Sequence, residues 1–598
     1  MSEMIKKRTE IAQEHKWKLE DMYPQEEIWE EEFNKLKDLS GQIETYRGRL
    51  GQSAQELLSG LRISEEAERL SEKLYAYARM RRDENNADTH YQTLVDRIET
   101  LGIQVASATA FITPELTGIP KEKVQSFMEN QADLKVYQHF FAQLWRQQDH
   151  ILSPEEERLL AMSQDLSSAS GNIFGMLNNA DIKFPVIKDE NGQEIELTKG
   201  RFGRFMESQD RRVRQEAFSG LYSSYGKLKN TLAATLSSSV KKDIFYARAR
   251  KYPSALIASL DQDNISPEVY DSLIKTVHEK MDYMYRYMKL RQKMLQVDEL
   301  HMYDIYVPLV KDYQKEIPYE EACSMVFDGL KILGEEYLQR LRSGINGGWI
   351  DIYENEGKTS GAYSWGTYDS HPYVLLNYDN KLDDVFTLAH ELGHSLHSLY
   401  SHQAQPYVYS QYPIFLAEVA STVNESLLID HLLQQNLERE EKIYLLNHYL
   451  EQFRATVYRQ TMFAEFEKII HEKVEAGEAL TADSLCSIYR GLNELYYGSG
   501  VVLDQEIELE WARIPHFYSA FYVYKYATGF AAATALKEQI LYEGEPAVKR
   551  YIKFLQSGNS DYPLILLKQA GVDLSTSGPV ASALDYFGKL LTELESLV

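Results

Sequence analysis

Two cysteines, Cys323 and Cys486, are all the thiols in 598 residues. A disulfide framework for a chain of this size is not indicated, and a reducing compartment is the natural setting. Long apolar runs are also missing. None reaches the roughly 18 residues that a membrane span requires, and the opening MSEMIKKRTEIAQEHKWKLEDMYP has lysines but no apolar core of a secretory signal. Basic charge is scarce: 64 Lys and Arg stand against 90 Asp and Glu, a net charge of −26. That balance argues against sequence-independent nucleic-acid binding, which needs clustered cations on phosphates. It favours solubility without defining a fold. The expectation is a soluble cytoplasmic protein with neither a membrane nor a nucleic acid as partner.

What is present is mostly helical pattern. Residues 1–180 read as nearly continuous helix, with apolar positions such as Leu70, Leu74, Tyr77 and Ala78 at three- and four-residue spacing. Ser153-Pro154-Glu155-Glu156-Glu157 reads as a helix start. Residues 182–198 break the rhythm: two β-prone runs flank Asn191-Gly192, a hairpin signal and a candidate junction. Helical pattern resumes over about 202–345 and breaks again at 347–380, where SGAYSWGTY and PYVLLNY alternate as strands do. Gly357-Lys358-Thr359 is not a phosphate loop, because that motif needs Gly where Ile352 stands.

The chemistry concentrates in DVFTLAHELGHSLHSLYSHQAQPYVYSQYPIFLAEVASTVNE, 384–425. His390 and His394 are one helical turn apart, so both rings project from one face and can reach a common metal ion. Zn²⁺ takes neutral imidazole nitrogens and prefers four-fold coordination, with three protein ligands in catalytic sites. A third ligand must come from downstream. The pattern that continues with Gly at 397 and His at 400 is excluded, since His397 and Tyr400 stand there. Glu418 is the candidate: it lies in an otherwise apolar helical stretch, where an acidic side chain is costly without a partner. Glu425, about two turns further, shares that face and can hydrogen-bond a ligand imidazole. Gly393 is expected to leave open space beside the metal. Glu391, next to the first histidine, is placed to act as a base.

A second cluster follows at 515–526, PHFYSAFYVYKY. As a helix it would carry Tyr518, Tyr522 and Tyr526 on one ridge with His516 at its start. Hydroxyls so placed can donate to an oxyanion without adding charge to the ground state. The competing reading is an aromatic core stripe, since the chain holds 42 tyrosines.

HELGHSLHS followed by FLAEVASTVNE closely resembles the oligoendopeptidase F branch of the thimet-oligopeptidase-like (M3) zinc metallopeptidases. The resemblance takes in RRVRQEAFSGLYSSYGKL, ARARKYPSALIASLDQDNISPEVYDSLI, IPHFYSAFYVYKYATGFA and the closing AGVDLSTSGPVASALDYFGKLLTELE, and so covers most of the chain from about residue 200. It implies a mainly α, two-lobed zincin-like fold with a deep substrate channel and a small β-sheet beside the metal helix. Residues 1–199 would form a helical region ending in the hairpin, and 200–598 the catalytic domain. One Zn²⁺ per chain is implied, on His390, His394 and Glu418, with Glu391 as general base. His516 and a tyrosine would stabilise the transition state, with Tyr522 and Tyr526 preferred and Tyr524 the alternative. Gly361, Ala362 and Tyr363 would contact substrate, and the substrates would be short unstructured peptides cut internally. Two rivals remain at this point: a helical metallocarboxypeptidase with the same ligand pattern, and a non-catalytic helical scaffold with a structural metal. Glu391 argues against the scaffold, because a structural site has no use for a base. A His₂Glu site also accepts Co²⁺ or Mn²⁺.

Overall fold

A computed structural model describes residues 5–310 and 315–598, with only the backbone of Pro154. The chain divides into two compact units, each assembled from three separated segments. The fold is mainly α, as expected. Among the described residues no helix is long and apolar enough to cross a membrane, and both cysteines are free and buried.

The first unit draws on Met1–Asp149, Gln314–Leu432 and Leu536–Gly571. Its early helices are Glu26–Ile43, Ala54–Glu84 and Thr89–Thr109. Ser53 and Asp88 cap the second and third by accepting backbone N–H groups of their first turns. Trp29 is fully buried, and its indole N–H donates to the Leu74 carbonyl at 3.1 Å. Among the described residues, the stretch before Glu26 departs from the continuous helix expected there, holding only short 3₁₀ turns. Its backbone groups bond instead to the segment at 348–356: Lys18 N–H to Gly348 O, the Ile352 N–H to His15 O and the Glu356 N–H to Lys6 O. A long-range partner for these groups outweighs the local helical pattern.

In that unit β3 (Ile350–Asp351), β4 (Tyr363–Trp365) and β5 (Tyr373–Leu375) form a sheet in the order β3-β5-β4. β3 runs parallel to β5, and β4 runs antiparallel with Ser364 opposite Val374. β4 is therefore an edge strand. The side chain of Lys358, in the rejected phosphate motif, is fully buried against Asp351 Oδ1 at 2.7 Å.

The second unit draws on His150–Tyr313, Leu433–Ala535 and Val572–Val598. The capping box at Ser153 is present, with Ser153 N–H donating to Glu156 Oε2 at 3.0 Å. The hairpin pairs β1 (Val186–Lys188) with β2 (Glu194–Glu196) antiparallel. Its turn is closed by the Gly192 N–H to Asp189 O, with Gly192 in the left-handed region at φ 77°. The interior of this unit contains a polar knot: Glu510 accepts from Arg459, from Arg513 at 2.9 Å and from Tyr489 at 2.5 Å.

Candidate metal centre and donor cluster

The helix Leu382–Ala404 starts where Asp384 accepts the N–H groups of Asp379 and Lys381, each at 2.9 Å. Val385, Leu388, Ala389, Leu392 and Leu396 on it are buried without measurable exposure. They seat it against the rest of the first unit. The helix Ile414–Leu433 passes beside it at Gly393. A Cβ on Gly393 would lie 2.6 Å from Ser421 Cα and 2.8 Å from Ala420 O. This corrects the expectation that Gly393 leaves open space for a metal: its role is to let two helix backbones touch.

A buried amide locks the register of that contact. Asn424 Nδ2 donates to the Ala389 carbonyl at 3.1 Å, and the Tyr337 hydroxyl donates to Asn424 Oδ1 at 2.9 Å. With the register fixed, Glu418 faces the histidines. Its Oε2 lies 3.4 Å from His390 Nε2 and 3.4 Å from His394 Nε2, and the two nitrogens are 3.1 Å apart. Donor atoms at about 2.0–2.1 Å from a tetrahedral centre are separated by about 3.3 Å, so the triangle has the size that such an ion needs. Among the described residues this is the group of His, Cys, Asp and Glu side chains that can hold a metal.

The orientation of the first imidazole is set from behind. His390 Nδ1 is 2.5 Å from Glu425 Oε1, so a proton on Nδ1 leaves the Nε2 lone pair directed into the triangle. Burial opposes a charged ring at His390, but Glu418 and Glu425 together raise it to about 10. Burial likewise opposes the Glu418 anion, and the two histidines hold it well below the usual carboxylate range. The three side chains thus call for positive charge at their centre, and the donor set fits a divalent cation.

Glu391 is only 7 % exposed, and its Oε2 has no hydrogen-bond partner among the described residues. Burial raises its pKa, against the pull of His390 and His394. It is a carboxyl kept basic and uncommitted. His397, one turn beyond His394, takes no part: its ring stacks on Tyr412 at 3.7 Å, and burial lowers it to about 3.

The strand residues divide. Gly361 is exposed at φ 85° with open space where a Cβ would sit, and Ala362 is partly exposed. Tyr363 turns its hydroxyl to Asp83 Oδ2 at 2.9 Å and stands opposite Leu375 of β5. Ser364 on β4 meets Ser395 of the metal helix, oxygen to oxygen at 2.8 Å.

In the second unit, residues 515–526 do not form the single helix that the tyrosine spacing suggests. Pro515–Tyr518 is a 3₁₀ turn, Phe521 is left-handed at φ 54°, and the α-helix begins at Tyr524. The ridge is therefore broken. Tyr518 leaves it, stacking on Phe174 at 4.4 Å with its hydroxyl 2.7 Å from Thr235 Oγ1. Tyr524 is buried against Tyr270 at 5.0 Å. His516, Tyr522 and Tyr526 nevertheless gather: ring centroids lie 5.4–6.2 Å apart, and the Tyr526 hydroxyl is 3.5 Å from His516 Nε2. Burial first, and then the Arg459 charge, lower the His516 pKa and favour the neutral ring.

Asn424, Ser421 and Tyr337 were missed in the sequence, although Asn424 carried the same signal as Glu418, a polar residue on an apolar helix. Ser421 Oγ lies 3.1 Å from Glu418 Oε2 and helps aim it.

Comparison with known proteins places the chain in a family. A family model described as peptidase family M3 matches residues 204–586, and one described as oligopeptidase F matches 115–184. Over 591 residues the chain is 48% identical to oligopeptidase PepF of Bacillus subtilis (strain 168), covering 99% of this chain and 88% of that protein. It is 42% identical to the group B oligopeptidase PepB of Streptococcus agalactiae serotype III (strain NEM316), with 100% and 99% covered. Among solved structures, oligoendopeptidase-F from Enterococcus faecium superposes with a TM-score of 0.76 at 37% identity, covering 96% of this chain and 99% of that one. A Chlamydophila abortus chain described as a peptidase gives 0.92 at 35% identity over the full length of both. The chain belongs to peptidase family M3, in its oligoendopeptidase F branch, and is a peptide hydrolase.

Proposed function

We propose that this protein is a zinc-dependent endopeptidase that cuts internal bonds of short, unstructured oligopeptides. The observation that carries the proposal is the triangle of His390, His394 and Glu418 donor atoms with the unpaired, buried Glu391 beside it. Zn²⁺ held by these three side chains would supply Lewis acidity, bringing the pKa of water towards about 7 and polarising the scissile carbonyl. Glu391 accepts the proton released by the attacking water and delivers it to the amine as the C–N bond breaks. Glu425 keeps the His390 tautomer that presents Nε2. His516, with Tyr522 or Tyr526, donates hydrogen bonds to the carbonyl oxygen as it gains negative charge; each such donor is worth about 10²–10³ in rate. The edge strand β4, with Gly361, Ala362 and Tyr363 at its start, pairs with an extended substrate as an added strand would.

The names of the curated relatives support oligopeptides as substrates, and they favour neither a carboxypeptidase nor a scaffold. Two free thiols among the described residues suit a cytoplasmic setting. We also assign the catalytic machinery to residues 200–598 and a supporting helical region to 1–199, a division in line with the family match at 204–586.

The test is cleavage of a peptide blocked at both ends, with metal analysis of the same preparation. Internal cleavage that a chelator abolishes and stoichiometric Zn²⁺ restores is the expected result. Release of residues from an unblocked C-terminus alone would favour the carboxypeptidase.

A further inference from the structure

One buried acid has no part in the mechanism above. Glu467, on the helix Arg459–Glu475, has no exposed surface. Its Oε1 accepts the backbone N–H of Phe521 at 3.1 Å, and its Oε2 has no hydrogen-bond partner among the described residues. Burial drives its pKa well above the usual carboxylate range, against the pull of the Phe521 N–H, and the nearby Asp243 adds to the rise. An isolated acid in an apolar interior is costly, so what it holds becomes the question.

It holds the turn that presents the proposed donors. Phe521 is a left-handed, non-glycine residue, an arrangement that persists only when its surroundings enforce it. The enforcement comes from one face of the Arg459–Glu475 helix. Phe463 and Phe466 pack on Phe517 with centroids 5.3 and 5.0 Å away, and His471 packs on Phe521 at 4.5 Å. Ser259 Oγ donates to the Ala520 carbonyl at 3.2 Å and ties down the preceding peptide. Phe517 and Phe521 are thus pegs driven into the unit, while His516 and Tyr522, the residues just outside them, stay partly exposed. The left-handed step at Phe521 turns the chain so that Tyr522 comes back to within 6.2 Å of the His516 ring.

We infer that Glu467 is a positioning residue for the oxyanion donors: by holding the Phe521 N–H it fixes the turn from which His516 and Tyr522 are presented. This rests on the donor role proposed above for those two residues. Glu467 touches no substrate and moves no proton in the reaction. Its contribution is to spare the enzyme from ordering the turn in each catalytic cycle.

The experiment is steady-state kinetics of the zinc-loaded full chain on a doubly blocked peptide, for Glu467→Gln and Glu467→Leu. Each is made in the parent and in a His516→Ala/Tyr522→Phe background. Gln keeps the shape and can still accept the Phe521 N–H, so its kcat should stay within about threefold of the parent. Leu cannot accept it, and kcat should fall about 10- to 100-fold with KM within twofold and zinc content unchanged, a fraction of one full donor's worth. In the donor-less background Glu467→Leu should cost less than twofold more. Parental kcat in Glu467→Leu, or the same full loss repeated without the donors, overturns the inference alone. A loss that tracks reduced zinc content or unfolded protein also overturns it, because that is plain structural damage. If removing His516 and Tyr522 leaves kcat unchanged, the donor reading itself is wrong and the inference falls with it. Should the Leu variant not fold, Glu467→Met fills similar space without an acceptor and is held to the same outcomes.

Discussion

Glu391 shows how little separates a structural carboxyl from a reactive one. On the same helix Asp384 accepts two backbone N–H groups and is spent on capping. Glu391 has one oxygen buried without a partner and sits between two imidazoles in sequence. Replacing its carboxylate by an amide keeps the shape but removes the basicity, and the ligand atoms belong to other residues. Glu391→Gln should therefore keep its metal and lose about 10²–10⁴-fold in kcat, the usual worth of a general base. Parallel metal analysis and turnover measurements check this. Near-parental turnover with full metal loading would remove Glu391 from the reaction.

At the scale of elements, the centre depends on two helices brought to backbone contact at Gly393. A methyl group there would meet Ser421 Cα and Ala420 O, which belong to a helix backbone and cannot rotate away. Gly393→Ala must push the Ile414–Leu433 helix outward, at a cost of about 1–3 kcal/mol for overpacking, and carry Glu418 off the histidines. Lower stability to urea together with weaker zinc binding is the expected pair of results. Unchanged metal affinity would mean that the helices part without moving the ligand. The elements also differ in how far their sequence betrays them. The i, i+4 histidines and a lone acid in an apolar run are local patterns, and the triad was legible from them. Gly393 was misread because a glycine looks the same whether it opens space or admits a neighbour. The tyrosine ridge failed for a related reason. Its spacing is helical, but Phe521 leaves the helix to donate to Glu467, 54 positions away in sequence, and no window of local sequence contains that partner.

Over the whole molecule the same limit governs the N-terminus and the division into units. Each unit gathers three distant segments, and hydropathy patterning carries no record of which segments meet. Arg8 is a case in point: it pairs with Asp351, 343 positions away, at 2.5 Å, and with Glu84 at 3.0 Å. Lys358 closes the cluster on Asp351, which is 1 % exposed. The cluster pins the segment before Glu26 to β3, taking the place of the helix expected there. Burial works against the Asp351 anion, but Arg8 and Lys358 hold its pKa below the usual carboxylate value. A carboxyl whose folded-state pKa lies below its unfolded value of about 3.9 stabilises the fold in full above that value. The contribution is lost as pH falls through the lower, folded-state value. Asp351→Asn leaves the buried Lys358 ammonium without its anion, while Arg8 keeps Glu84, and should cost about 3–5 kcal/mol at neutral pH. The gap in urea stability between parent and variant should stay constant from about pH 7 to pH 5 and narrow steadily below about pH 4. A gap that persists unchanged into strong acid would mean that Asp351 titrates alike in the folded and unfolded chains, and that Arg8 and Lys358 contribute shape rather than charge.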